Sequence, residues 1–101
     1  MGKTQINEFN ISGKVLFVSM PVEFTEKMSK RTMVMEVWVD AKYKQEVPFD
    51  FVNQNMDLLT NIREEDWVNV DFILRGRKYI QKDGLTRWFS NNEGISCIKE
   101  T

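Results

Sequence analysis

The 101 residues hold 14 lysines and arginines against 15 acids, for a formal charge of -1, with 42% hydrophobic and 29% charged residues. That balance is ordinary for one small globular domain. The absence of histidine and the single cysteine, Cys97, exclude Ser-His-Asp and Cys-His catalysis, histidine zinc sites, internal disulfides and four-thiolate metal centres.

Residues 1–9 read as a flexible N-terminal arm and residues 10–101 as the folded domain. ISGKVLFVSM, residues 11–20, is rich in β-branched and large apolar side chains and predicts a strand, with Gly13 allowing a bend near its start. The polar stretch PVEFTEKMSKR predicts a loop. TMVMEVWVD, residues 32–40, alternates strictly: Met33, Met35, Val37 and Val39 on one face, Glu36, Trp38 and Asp40 on the other. After a tight connection at Asp40-Ala41, KYKQEVPFDFV alternates again. Tyr43, Val47, Phe49 and Phe51 share one face, and Lys42, Lys44, Glu46 and Asp50 the other, with Pro48 marking an edge or a bulge.

NQNMDLLTNI changes period. Met56, Leu59 and Ile62 have helical spacing, and Asn53 or Asn55 suits the cap of a short helix. WVNVDFILRGRKYI returns to alternation, Lys82-Asp83-Gly84 signals a hairpin turn, and a last strand follows with a break expected near Asn91–Gly94. Phe17, Phe49, Phe51 and Phe72 fall in phase with aliphatic neighbours and are expected in the core; Phe89 is ambiguous, since burying it would expose Trp88. Three strands, a short helix and two strands are the order of a five-stranded Greek-key OB-fold barrel, mainly β, with its helix between strands three and four.

The residues also resemble a known group. FILRGRKY followed by a turn and GLTRWF, with the opening GKVLFV and the acidic REEDWVNVDF, is similar to a small, poorly characterised family of bacterial and phage OB-fold proteins. That family is related in fold to single-stranded DNA-binding proteins. Its arginine-glycine-arginine-aromatic and basic-tryptophan-phenylalanine runs fall here on Arg75, Gly76, Arg77, Tyr79 and on Arg87, Trp88, Phe89. The resemblance implies a role in replication, recombination or repair.

Binding a single strand needs cations along the phosphates and flat rings on which bases stack. Residues 75–89 hold Arg75, Arg77, Lys78, Lys82 and Arg87 against one acid, Asp83, with Tyr79 and Trp88 interleaved. Trp38 offers a ring on the second strand, beside Glu36 and Asp40, and Lys42 and Lys44 lie on the outer face of the third. The candidate binding residues are therefore Trp38, Lys42, Lys44, Arg75, Arg77, Lys78, Tyr79, Arg87 and Trp88. Each has a bland counterpart: a solvated hairpin, a ring covering the barrel end, or lysines protecting a sheet edge. The acids Glu64, Glu65 and Asp66 are consecutive and cannot converge on one ion, so no metal is expected, and no cofactor. No nucleophile–base pair suggests an enzyme.

The expected partner is single-stranded DNA, with RNA open, bound without strong sequence preference. A homo-oligomer is expected from the outward apolar residues Val34 and Ile73. A protein-interaction module is the alternative, favoured by the acidic pI of about 5.5. No apolar run approaches the ~20 residues of a membrane span, the start lacks the apolar core of a secretory signal, and a lone thiol suits the reducing cytoplasm.

Overall fold

The β-branched and aromatic residues that mark the predicted strands form strands in the computed structural model, which describes residues 7–100. The elements are β1 (Phe9–Val18), β2 (Val22–Thr25), β3 (Met28–Trp38), β4 (Lys44–Val52), a 3-10 helix (Asn53–Leu59), β5 (Trp67–Ile80) and β6 (Thr86–Lys99). Hydrogen-bonded neighbours run β1-β5-β6-β4-β3-β2, and β1 also pairs with β3. This last pairing closes β1, β3, β4, β5 and β6 into the expected OB barrel, with the helix between its third and fourth strands.

One face of each barrel strand fills the interior. Val15, Met33, Met35, Val37, Phe49, Phe51, Val68 and Val70 are buried, and Leu59 and Ile62 close one opening from the helix and the turn behind it. The predicted alternation of β3 and β4 makes this possible, because Met33 opposes Phe49 and Met35 opposes Val47 on the same side of the sheet. Each fully buried side chain of this kind contributes roughly 1.5–3 kcal/mol. Phe72 is half-buried and meets Phe49 edge-on at 5.0 Å between ring centroids. Gly13 sits where β1 changes partner from β5 to β3; a Cβ there would press on the Glu36 carbonyl of the crossing strand.

Several sequence expectations are corrected. Phe17 is not core: it is 50% exposed. A bulge between Val15 and Phe17 moves the register from Val15↔Met35 to Phe17↔Val34, which turns Phe17 to the outer face. The stretch expected as a loop is a hairpin, with β2 pairing to the start of β3 through Val22↔Lys30 and Thr25↔Met28. β3 therefore begins at Met28 and ends at Trp38, leaving Val39 exposed in the turn, where its N–H donates to the Tyr43 carbonyl at 3.2 Å. Tyr43, in that same turn, is exposed as well.

Neither Asn53 nor Asn55 caps the helix. Val52 holds the cap position without a side-chain bond, and Asn53 takes a left-handed φ of 51° while its Oδ1 accepts from the Ser29 N–H at 3.0 Å. The last strand is continuous. The expected break is a bulge, since Asp71 opposes Ser96 and Phe72 opposes Gly94, leaving Ile95 as the extra residue. β1 starts at Phe9, and residues 1–6 of the expected arm lie outside the described residues. Among the described residues no helix is long and apolar enough to cross a membrane.

β5 and β6 each run for 14 residues and outlast the barrel. Leu74–Ile80 and Thr86–Asn91 are exposed along their whole length. They form a two-stranded ribbon that projects roughly 20 Å, at about 3.3 Å per residue. The radius of gyration, 15.5 Å, is correspondingly larger than the ~13 Å of a compact 100-residue domain. The ribbon closes through the predicted turn: Gly84 takes a φ of +88°, its N–H donates to the Gln81 carbonyl at 2.9 Å, and the Leu85 N–H donates to Asp83 Oδ1 at 3.0 Å.

Candidate nucleic-acid interface

The ribbon has two faces and a core beneath neither, so its register decides what each face carries. Arg75 opposes Asn91, Arg77 opposes Phe89 and Tyr79 opposes Arg87, which gathers three arginines and two rings on one side. Lys78 opposes Trp88 and Ile80 opposes Thr86 on the other side, continuing from Leu74. Both Trp88 and Phe89 are exposed, at 73% and 48%. The expectation that exposing one buries the other fails because the ribbon lacks an inside.

The arginine face continues the outer face of the barrel. Arg75 Nε donates to Glu93 Oε1 at 3.0 Å, and the Arg77 guanidinium lies 5.9 Å from the centre of the Phe89 ring. Asn91 Nδ2 reaches Asp50 Oδ2 of β4 at 3.1 Å, tying the base of the ribbon to the barrel. Asp50 also accepts from Thr32 Oγ1 at 2.8 Å and lies 3.4 Å from Lys30 Nζ. Lys30 stands 5.6 Å over the Phe24 ring of β2. Phe24, Lys30, Asp50, Arg77, Phe89, Ser90 and Asn91 thus line one groove of about 320 Å³ between the β2–β3 hairpin and the ribbon.

Trp38 and Lys44 mark the opposite end of the same outer face. They oppose each other in register, and Lys44 Nζ lies 5.4 Å over the Trp38 ring. From Lys30 to Trp38 is eight residues along β3, or roughly 26 Å at about 3.3 Å per residue. Lys42 is exposed in the adjoining turn, where its backbone N–H donates to Asp40 Oδ1 at 2.8 Å.

The structure thus divides the residues singled out from sequence. Trp38, Lys44, Arg75, Arg77, Tyr79 and Arg87 share the outer face, and Lys78 and Trp88 lie on the reverse of the ribbon. Phe24 and Lys30, which the sequence places in a loop able to fold over a strand, and Phe89, which it leaves ambiguous, join the outer face. For Phe89 a signal was present: alternation stops after Leu74, as expected of a strand that has left its core. Arg31, which crowds the same hairpin, is tied down instead, its Nε donating to the Ser19 carbonyl at 2.9 Å.

In an OB barrel the face formed by the second and third barrel strands, flanked by the loops after strands one and four, is the oligonucleotide surface. Here those parts are β3 and β4, the β2–β3 hairpin and the ribbon. The profile of a family described as a domain of unknown function, DUF3127, matches residues 10–96, and the chain belongs to that family. Among solved structures it is similar to Rim1, a mitochondrial single-stranded DNA binding protein of S. cerevisiae. The identity is 13% and the TM-score 0.71, over 97% of this chain and 98% of that one. It is similar also to a Plasmodium falciparum SSB solved in complex with ssDNA, at 16% identity and a TM-score of 0.69, over 100% of both chains. At these identities the likeness is one of fold: an uncharacterised family built on the OB barrel of single-stranded DNA-binding proteins, as the resemblance in sequence implied. No curated protein matches the chain.

Proposed function

We propose that this protein binds single-stranded nucleic acid, DNA in preference to RNA, with little sequence preference, and serves replication, recombination or repair in the cytoplasm. One observation carries the reading: three rings, Trp38, Phe24 and Phe89, stand on one outer face, each with a cation over it. A strand laid along this face meets base-stacking surfaces and phosphate partners together. Arg77, Arg87 and Lys42 hold phosphates, joined by Arg75, Lys44 and Lys30, while bases stack on Phe89, Tyr79, Phe24 and Trp38. Lys78 and Trp88, on the reverse of the ribbon, engage only a strand that wraps around it. The fold of the solved relatives supports the same surface. The protein acts by holding its ligand, and no residue is assigned a catalytic role.

The test is a fluorescence-anisotropy titration with a labelled oligo-thymidine at several salt concentrations. The three cations without an ion pair among the described residues, Arg77, Arg87 and Lys42, at about -0.7 each give a log–log slope of roughly -2. Absent binding, or a flat salt response, overturns the proposal. The second reading, a polypeptide-binding module, draws on the reverse of the ribbon, where Leu74, Ile80 and Trp88 are exposed. It gains if the oligonucleotide fails to bind.

A further inference from the structure

The cations that reach the outer face from the barrel and from the base of the ribbon are already held by carboxylates. Lys44 Nζ lies 3.6 Å from Glu36 Oε2 and Lys30 Nζ lies 3.4 Å from Asp50 Oδ2. Arg75 reaches both oxygens of Glu93, Nε at 3.0 Å and Nη2 at 3.5 Å. Farther out along the ribbon, Arg77 and Arg87 make no ion pair among the described residues. Two of the held cations also cover a ring, Lys44 that of Trp38 and Lys30 that of Phe24. Cation, carboxylate and ring thus form closed internal sets at the places where a strand would need the cation and the ring.

Resting on the reading above, we infer that Glu36, Asp50 and Glu93 are built-in competitors for phosphate. An incoming strand takes Lys44, Lys30 and Arg75 from these carboxylates, and at Trp38 and Phe24 the base replaces the cation on the ring. The exchange is feasible because the cation of each pair is 38–59% exposed, so that water screens the pair and the cation–ring contact is weak, while a base stacked on a ring gains more. A polyanion without free bases breaks the pairs and gains no stack. The carboxylates therefore bias the surface toward unpaired bases and against phosphate alone.

This exchange leaves a signature in salt dependence. When phosphate replaces Glu36 at Lys44, the strand releases a counter-ion but the freed carboxylate takes one up. The contact then adds almost nothing to the slope. With glutamine at position 36 the same contact adds roughly -0.7.

The experiment titrates labelled oligo-thymidine against the native protein, Glu36→Gln, Glu93→Gln and the control Glu46→Gln. Glu46 opposes Glu36 on the same face and makes no ion pair among the described residues, so its loss changes the charge equally without freeing a cation. Glu36→Gln and Glu93→Gln are expected to tighten binding about two- to fivefold, the range of an ion pair whose cation is screened by solvent. Each should also steepen the slope by about 0.7, whereas Glu46→Gln leaves the slope unchanged. If the native protein binds but the first two variants match Glu46→Gln in affinity and slope, the competitor role is overturned and the binding reading stands. If none of the four binds, both fall.

Discussion

Gly94 of β6 lies against the face of Phe51, and a Cβ at that position would overlap the ring itself. The ring is fully buried and cannot swing aside, so Gly94→Ala forces overpacking. A loss of roughly 1–3 kcal/mol is expected, read as a lower midpoint in thermal or urea unfolding; an unchanged midpoint would show that β6 yields. Cys97, two pairs along the same strand, packs against the core. Burial pushes its thiol from the ordinary 9.0 up to about 11. A raised folded pKa means that the contribution to stability is whole below pH 9.0 and is lost as the pH rises toward 11, where the unfolded thiol ionises first. Native Cys97 should accordingly be alkylated by iodoacetamide much more slowly at pH 8 than in urea, and equal rates would contradict its burial.

At the scale of the element, the ribbon is where sequence and structure part. The period-two pattern of β5 locates Val68 and Val70 correctly and then gives out, since Leu74 to Ile80 are exposed on both faces. Alternation encodes which side is wet only when the other side is dry. With a core absent, Trp88 and Phe89 are both solvent-facing, and cross-strand register alone assigns them to opposite sides. The consequence for binding is asymmetric. Phe89→Ala and Tyr79→Ala are expected to weaken oligo-thymidine binding by about 1–3 kcal/mol each, and Trp88→Ala by clearly less. A Trp88→Ala loss equal to that of Phe89→Ala would mean that the strand wraps the ribbon. The ribbon continues the barrel strands β5 and β6, and its base is tied to β4 by the Asn91–Asp50 bond and by Asn92 Nδ2 donating to the Pro48 carbonyl at 3.2 Å, so it does not stand as an isolated hairpin, which is marginal in water.

At the scale of the molecule, charge is sorted only in part: Arg77 and Arg87 of the ribbon make no ion pair among the described residues, while Lys30, Lys44 and Arg75 share the outer face with Asp50, Glu36 and Glu93. The arginines of the ribbon stand clear of the barrel, while Asp66 sits at the turn before β5. There it accepts from the Arg63 N–H and pairs with Lys99, contacts that hold its carboxyl below the usual range. One barrel gives a path of roughly 26 Å along β3, and self-association would lengthen it. Val34 and Ile73, half-buried on the outer face, are the candidates for that contact. Sedimentation at micromolar concentration should give a dimer or larger species, and a monomer would count against it.

The barrel was legible because its determinants are local. Alternation at Met33–Val37 and Phe49–Phe51, a helical interruption at Asn53–Leu59 and a glycine turn at residue 84 each act within a few residues, and the missing histidine removes its chemistry wherever the chain folds. The interface was legible only as a list of residue types. Which ring meets which cation, and which cation is already spoken for by Glu36, Asp50 or Glu93, depends on pairing between strands far apart in sequence. A single bulge, such as the one before Phe17, reverses the face of everything beyond it. Side-chain type is written one residue at a time, but the side of the sheet is set by register, and register exists only once the strands have met.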